Sequence, residues 1–382
     1  MSLLSDAPAQ FTGTGRYVRE LLRELGKRPA DVSVDVLAEP GAARRAASVA
    51  APNVTVRPAK WYRAGTSRAS RLAPLTAAWA WPRPLARQFS PEIDIVHYPL
   101  TFKVPAVRGP TVLSFFDVQH HDLPHHFTRA QHLWRRVMYD GAARGATRVV
   151  TISEHARARI IECAGVDPHR IVAIHLAVDH ERFNPEPRPD DERLLAGLGL
   201  PERFLFYPAS LWPHKNHLKL FDAMAILPDE QLGLVLTGAT FGKLGALTAE
   251  ADRRGLGGRL EHLGQVPDDV LPALYRRATA LVFPSLHEGF GMPPLEAMAC
   301  GCPVASSREA ALAEVCAAAA GELDPCNAEQ MARTIDAVVH DEALRARLRA
   351  DGVRQAQKFT WEQNAEAHVA AYRGALEDGG GS

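Results

Sequence analysis

Short apolar runs alternate with longer amphipathic stretches along the whole chain. The runs are nearly continuous in apolar residues, which is typical of buried strands in a parallel sheet. We predict strands at residues 2–4, 32–37, 93–97, 111–116, 148–154, 171–175, 203–207, 232–238, 260–264 and 279–283. Several intervening stretches have the helical period, and Tyr17, Leu21, Leu22 and Leu25 fall on one helix face. Strands that alternate with helices predict an α/β fold.

The pattern is interrupted once, at residues 184–191. This segment is rich in proline and charge, which is typical of an extended linker. The chain of 382 residues is long enough for two cores. We therefore predict two Rossmann-like parallel-sheet domains, an N-terminal one at 1–184 and a C-terminal one at 185–360. Because ligands often bind between domains, we expect the substrates to meet in a cleft.

The most informative stretch follows the predicted strand at 279–283. Glu288 lies in a glycine-flanked loop, and Pro293 and Pro294 suit the first turn of a helix that carries Glu296 and stops at Gly301. Both carboxylates then lie at the carboxyl end of a strand, where open α/β sheets bind ligands. A carboxylate can accept hydrogen bonds from two hydroxyl groups of a sugar. Backbone N–H groups beside the helix N-terminus suit an anionic ligand.

Composition and charge narrow the class of protein. The formal net charge is +0, so the chain as a whole has no field that would attract nucleic acid. The 5 cysteines are odd in number and scattered, which favours a reducing compartment over a disulfide framework. With neither a long apolar run nor a signal-peptide pattern, we expect a cytoplasmic protein.

The stretch with Glu288 and Glu296 resembles the signature of glycosyltransferase family 4, in which seven residues separate two glutamates. The resemblance covers nearly the whole chain and implies a GT-B fold, with the last helix, 361–378, crossing back onto the N-terminal domain. It also implies retaining transfer of a sugar from a nucleoside-diphosphate donor to an acceptor hydroxyl. The acceptor would be a small molecule, a glycan or a lipid-linked molecule. We expect no cofactor and no metal, since no Asp-x-Asp pair occurs in the chain.

The resemblance also assigns site residues. It assigns donor binding to Gly13, Gly15, Lys215, Val266, Glu288, Gly289, Phe290, Gly291, Met292, Leu295 and Glu296. Gly13 and Gly15 would form a loop close to the donor phosphates, and Lys215 would contact the diphosphate. Glu288 would orient the sugar, and Glu296 would hold the ribose.

The chain departs from the family pattern at two positions. Phe116 stands where the family usually has a histidine near the donor sugar, and Asp117 keeps the aspartate that follows. His120, in the same loop, is our candidate replacement, so the predicted catalytic set is Glu288, Lys215, Asp117 and His120. Ser210 stands where a phosphate-binding arginine is usual, and His214 or Arg16 would replace it.

Other interpretations of these features remain open. The two departures also suit a sugar-nucleotide-binding protein that has lost transfer, and a hydrolysing sugar-nucleotide epimerase shares the architecture. Gly13-x-Gly15 with Asp35 resembles a dinucleotide fingerprint, but Val18 replaces its third glycine. Four histidines could suggest a metal site, although solvated or substrate-bound side chains are more usual: His120, His121, His125 and His126.

Residues 57–89 combine tryptophans with arginines. This composition suits peripheral contact with the inner membrane face or with a lipid-linked acceptor. The simpler interpretation, which we favour, is a pair of surface helices. The arginines and tryptophans concerned are Arg63, Arg68, Arg71, Arg83, Arg87, Trp61, Trp79 and Trp81.

Overall fold

A computed structural model of the chain describes residues 1–5, 13–49, 51–63 and 68–379, without the side chains of 68–72. It consists of two compact units, Met1–Leu176 with Trp361–Ser382 and Ala177–Thr360. The predicted boundary after residue 184 lies eight residues beyond this division. Three predicted features lie outside the described part: Phe11 and Thr12 before the first helix, the side chains of Arg68 and Arg71, and the tail after Gly379.

Within the described residues, thirteen strands form three sheets in which all neighbouring strands are parallel. The strands are β1 Ser2–Leu3, β2 Val34–Ala38, β3 Val54–Pro58, β4 Val96–Tyr98, β5 Thr111–Ser114, β6 Arg148–Thr151, β7 Ile171–Ala173, β8 Phe204–Pro208, β9 Gly233–Thr237, β10 Leu260–His262, β11 Ala280–Phe283, β12 Val304–Ser306 and β13 Gly321–Glu322. Most predicted strands are present but shorter, because their polar ends belong to the loops. The α/β, parallel-sheet prediction is confirmed.

The described α-helices are α1 Gly13–Gly26, α2 Pro40–Ala47, α3 Arg68–Ala80, α4 Arg83–Ala86, α5 Gln119–Asp122, α6 Arg129–Arg135, α7 Gly141–Gly145, α8 Glu154–Ala164, α9 Asp191–Leu195, α10 His217–Ala225, α11 Leu244–Arg253, α12 Val270–Arg277, α13 Met292–Ala299, α14 Leu312–Cys316, α15 Ala328–His340, α16 Glu342–Ala356 and α17 Trp361–Gly379. Tyr17, Leu21, Leu22 and Leu25 of α1 are buried, as their spacing predicts. None of the described helices is long and apolar enough to cross a membrane.

The second unit has one six-stranded sheet in the order β10-β9-β8-β11-β12-β13. This is the Rossmann order, in which the chain starts in the middle, builds one half outward, and returns to build the other. Successive helices therefore leave β8 and β11 in opposite directions. A crevice opens at the carboxyl ends of these two neighbouring strands, and it is the expected place for a ligand.

The first unit has two sheets, β1-β2-β3 and β4-β5-β6-β7, and includes α17. Buried hydrogen bonds join α17 to α1 and to the second of these sheets. Tyr372 Oη lies 2.8 Å from His97 Nδ1, and His97 Nε2 lies 2.9 Å from Ser114 Oγ. The hydroxyl oxygens of Ser114 and Tyr17 are 2.9 Å apart, and Tyr17 Oη lies 2.8 Å from His368 Nε2.

The direction of each hydrogen bond in this series can be worked out from its His368 end. His368 Nδ1 lies 2.8 Å from the carbonyl oxygen of Asn364, which can only accept, so Nδ1 carries the hydrogen of a neutral imidazole. Nε2 then accepts from Tyr17, whose own oxygen accepts from Ser114. His97 donates to Ser114 from Nε2 and accepts from the phenol at the far end of the chain. These directions hold while both imidazoles are neutral, and burial lowers the pKa of His368 and of His97.

Candidate active site

Two side chains from neighbouring strands meet at the crevice of the second unit. Lys215 follows β8, and Glu288 follows β11, which pairs with β8 in parallel register. Lys215 Nζ donates to Glu288 Oε1 at 2.5 Å, and the two side chains are only 16% and 13% exposed. An ion pair shielded this far from water is stronger than one on the surface. The structure thus places together a cation and a carboxylate that lie 73 positions apart in the sequence.

The turn that carries Lys215 is fixed on both sides. Tyr207 donates its hydroxyl to the carbonyl oxygen of Lys215 at 2.6 Å. Asn216 adopts the left-handed conformation, φ 62°, and its amide donates to the carbonyl oxygens of Pro284 at 3.1 Å and Pro325 at 2.7 Å. Asparagine tolerates this conformation better than most residues. Burial, together with the negative charge of Glu288, holds the pKa of Tyr207 well above its usual range.

The loop after Glu288 turns sharply into α13. Gly291 has φ 121°, and a Cβ there would lie 2.7 Å from Leu312 Cδ2, so a side chain is excluded at this position. Pro293 and Pro294 occupy the first turn of α13, as predicted, and the helix ends just before Gly301. The N-terminus of α13, the positive end of its dipole, therefore follows shortly after Glu288 in the chain.

Glu296 is held inside the same unit by a tyrosine. It is 5% exposed, and its Oε2 accepts from the Tyr275 hydroxyl of α12 at 2.9 Å. Phe206 packs edge-on against the Tyr275 ring, with 5.2 Å between centroids. Tyr275 therefore fixes the direction in which the carboxylate points.

The remaining donor-binding candidates of this unit differ in accessibility. Gly289 belongs to the loop before α13, and Met292 is half-buried at the start of that helix. Leu295 is fully buried and Phe290 is 3% exposed, so their side chains pack in the core and only their backbone could contact a ligand. Val266 is half-buried and follows β10 at the same carboxyl edge as Lys215.

The first unit holds the other predicted site residues. Gly13 and Gly15 lie in the first turn of α1 and not in a loop before it, which corrects our prediction. The helix begins earlier than its apolar face suggested, because small residues can occupy a first turn without packing. Asp117 accepts from the backbone N–H of Gln119 at 3.1 Å, just before α5. Phe116 lies edge-on to Tyr17.

His120 is buried and shares a carboxylate with its neighbour. His120 Nε2 and His121 Nε2 each lie 2.9 Å from a different oxygen of Asp140, which is 2% exposed. Asp140 ends a π-helical turn, Arg136–Asp140, that brings it toward α5. The two imidazoles lower the pKa of Asp140 against the effect of burial, which alone would raise it. The donor types of this trio could also hold a metal ion.

Two family models together match most of the chain. Residues 11–182 match the model described as Glycosyltransferase Family 4, and residues 192–355 match that of Glycosyl transferases group 1. The chain belongs to the family 4 glycosyltransferases. This confirms the family that the Glu288 and Glu296 signature predicted.

Relatives and solved structures agree with this family. Over 290 residues, 73% of the chain, this glycosyltransferase is 29% identical to the O-antigen chain mannosyltransferase B of Escherichia coli, covering 74% of that protein. Over 238 residues, 61% of the chain, it is 31% identical to the serotype-specific mannosyltransferase WbdA of Escherichia coli, but the match spans only 29% of that protein.

The crystal structure of Anabaena HepE in complex with UDP and glucose has the same fold. Its TM-score is 0.75 at 20% identity, and the match covers 98% of each chain. This confirms the predicted GT-B class.

Three contacts of this glycosyltransferase were not predicted from its sequence. The contacts of Tyr275 with Glu296 and of Asp140 with two histidines join residues 19 to 21 positions apart. Tyr207 contacts the Lys215 turn, which is 8 positions further along the chain. A tyrosine in an apolar helix and an aspartate in a basic one carry no local pattern that distinguishes them. A search for buried polar residues within apolar segments is the signal that could have selected them.

Proposed function

We propose that this chain is a retaining hexosyltransferase that uses a nucleoside-diphosphate sugar. The observation that carries the proposal is the Lys215–Glu288 pair at the carboxyl ends of β8 and β11, beside the N-terminus of α13. Transfer must stabilise a leaving diphosphate and a positively charged sugar carbon together. A lysine, a helix N-terminus and a carboxylate supply both kinds of charge.

Each residue takes one role in this proposal. Lys215 and the α13 N-terminus stabilise the diphosphate. Gly13 and Gly15, in the first turn of α1, remain our donor-binding candidates of the first unit. Glu288 orients the transferred sugar, and Glu296, directed by Tyr275, accepts from the ribose hydroxyls. Asp117 and His120 remain our candidates on the acceptor side. His120 would act there through the orientation that Asp140 gives it.

The transfer needs no cofactor and no divalent metal at the diphosphate. The described residues near Lys215 offer one ammonium group and a helix dipole rather than the paired carboxylates that bind Mg²⁺ between phosphates. The two relatives are mannosyltransferases by name, and HepE was solved with UDP and glucose. These names favour hexose donors as the first substrates to test.

The test begins with a thermal-shift screen of UDP-, GDP-, ADP- and TDP-hexoses, because a ligand of the native state raises the melting temperature. The donor found is then incubated with hydroxyl acceptors in a buffer without divalent metal. We expect an α-linked donor to give an α-linked product, and proton NMR of the new linkage shows its configuration. A β-linked product, or transfer that appears only after Mg²⁺ or Mn²⁺ is added, would contradict the proposal.

Removing Glu296 should weaken nucleotide binding without slowing turnover. The ribose does not react, so its contact is equal in the ground and transition states. A hydrogen bond to a charged group contributes roughly 1.5–3 kcal/mol, and Glu296→Ala should therefore raise the donor KM by roughly 10- to 150-fold at unchanged kcat.

Tyr275→Phe provides the matched comparison. It keeps the ring and the carboxylate and removes only the hydroxyl that donates to Glu296 Oε2. We therefore expect a smaller increase in KM, about tenfold. Steady-state kinetics and calorimetric titration with nucleoside diphosphate measure both variants. A fall in kcat with unchanged KM would place Glu296 near the reacting carbon and not at the ribose.

A further inference from the structure

We infer that the first unit docks on an anionic lipid surface through a groove between Trp61 and Trp81. The groove has a volume of about 540 Å³, and its other lining residues include Tyr62, Arg63, Ala77 and Leu85. The inference rests on the groove and its charges alone, so it does not depend on the proposed transfer reaction.

The two tryptophans are far more exposed than an aromatic side chain of this size usually is. Trp61 is 88% exposed and Trp81 is 76% exposed. Trp79, on α3 nearby, is 46% exposed and does not line the groove. Tryptophan prefers the boundary between lipid and water, because its ring is largely apolar and its N–H remains hydrated.

The residues around Trp61 hold its backbone in an unusual conformation. Its backbone has φ 60°, which is unusual for a bulky residue and persists only where the surroundings fix it. The side chain of Gln88 fixes the preceding residue: it accepts from the Lys60 N–H at 2.8 Å and donates to the Lys60 carbonyl oxygen at 3.2 Å. Beneath the groove, Tyr62, Leu75 and Leu85 belong to the apolar core of the unit.

The exposed charges around the groove have a single sign. Residues 40–91 contain nine arginines and lysines and no aspartate or glutamate, although the whole chain has a net charge of +0. Lys60, Arg63, Arg83 and Arg87 are exposed, and no carboxylate among the described residues forms an ion pair with them. Basic side chains at the rim of an apolar, tryptophan-bearing surface are the features that bind anionic lipid headgroups.

This combination favours a lipid surface over a protein or a glycan. A protein partner would need acidic side chains placed against each arginine, whereas a bilayer of anionic lipids offers negative charge everywhere along the surface. A glycan groove usually needs hydrogen-bonding side chains such as amides and carboxylates, and the described lining is mainly apolar and basic.

The experiment is sedimentation of the full chain with vesicles of phosphatidylcholine alone or mixed with phosphatidylglycerol. We expect binding to the mixed vesicles only, and release in high salt because the charges are exposed. In vesicles that contain a brominated lipid, tryptophan fluorescence should be quenched. Trp61→Ser with Trp81→Ser should abolish most of that quenching.

Variants that remove charge at the groove, compared with a control variant elsewhere, test whether lipid binding depends on this surface. Each basic residue near an anionic surface contributes about 1 kcal/mol, or about fivefold in partitioning. Lys60→Gln, Arg63→Gln and Arg83→Gln together should therefore weaken binding on the order of 100-fold. Ile226→Ser with Arg347→Gln, an exposed pair in the second unit, should bind like wild type. Melting curves check that every variant is folded.

Three results would overturn the inference. The first is equal binding to neutral and anionic vesicles, and the second is wild-type binding by the charge variant. The third is the absence of vesicle binding while soluble oligosaccharides quench the tryptophan fluorescence, which would make the groove a glycan site.

Discussion

Glu288→Gln should bind the free nucleoside diphosphate at least as tightly as wild type while turning over the sugar donor about 100-fold more slowly. Without ligand, Glu288 accepts from Lys215 at 2.5 Å, so the carboxylate competes with phosphate for the same ammonium group. The amide of glutamine has nearly the same shape but no charge, so it leaves Lys215 more available to the diphosphate. The transferred sugar, however, loses a charged contact near the reacting carbon, and one preorganised contact of this kind is worth about 10²–10³ in kcat.

Lys215→Ala should have the opposite effect on affinity. Removing the cation takes a charged contact from the diphosphate, worth roughly 1.5–3 kcal/mol, so nucleotide binding should weaken by roughly 10- to 150-fold. Glu322→Gln is the matched control, because that carboxylate also pairs with a cation, Arg308 at 3.3 Å, but is 64% exposed. It should change neither affinity nor rate.

Calorimetric titration with nucleoside diphosphate, beside donor kinetics, measures all three variants. If Glu288→Gln loses as much nucleotide affinity as Lys215→Ala, the pair binds phosphate as one unit and the proposed division of roles is wrong.

Local sequence patterns predicted one part of this site well. Glu288, Gly291, the two prolines and Glu296 lie within nine positions, and turn and helix-start rules alone place them correctly. The strands were predictable for the same reason, since a buried parallel strand is a short apolar run. The start of α1 was not, because Gly13 and Gly15 have low helix propensity and the packing of the later turns overrides it.

Contacts between distant residues could not be predicted in this way. The Lys215–Glu288 pair forms because β8 and β11 are neighbours in the sheet. No single segment of the sequence determines this strand order. The hydrogen-bonded chain from Tyr17 to Tyr372 joins residues on two helices and two strands. Each of these residues, seen alone, fits an ordinary core or surface position.

Acid should release α17 from the first unit before it unfolds the whole protein. Burial lowers the pKa of His368 to about 4, from an ordinary value of 6.5. Burial, followed by the influence of His368 and of the chain's amino group, lowers the pKa of His97 well below its usual range. The unfolded chain therefore binds more protons than the folded one between about pH 4 and pH 6.5, so the contribution of these groups is complete above pH 6.5 and is lost as pH falls toward 4.

The stability lost in acid follows from the change in the pKa of His368 on folding. The fall of the His368 pKa from 6.5 to about 4 corresponds to on the order of 3 kcal/mol for His368 alone, and His97 adds to it with the same sign. Protonating His368 would also reverse the hydrogen bonds of this series, because Nε2 would then donate and the hydroxyls of Tyr17 and Ser114 would have to turn. The groups that face these imidazoles are Tyr17 from α1, Ser114 from β5 and Tyr372 from α17, which stay neutral in this range. The Met1 amino group also acts on His97; burial lowers its pKa to about 5, so its contribution to stability is lost with the same sign as the pH falls.

The measurement is amide hydrogen exchange of residues 361–379. Global melting would not distinguish the two units, because burial also lowers the pKa of His217 and His262 in the second unit. After correction for the intrinsic rate, exchange in α17 should be faster at pH 5 than at pH 7. His368→Gln cannot be protonated, so it should be less stable at pH 7 but should lose most of the acid dependence. His125→Ala removes an exposed histidine of the same unit and should keep the full dependence. Equal protection of α17 at both pH values, or an undiminished acid dependence in His368→Gln, would show that the neutral imidazoles do not hold this helix in place.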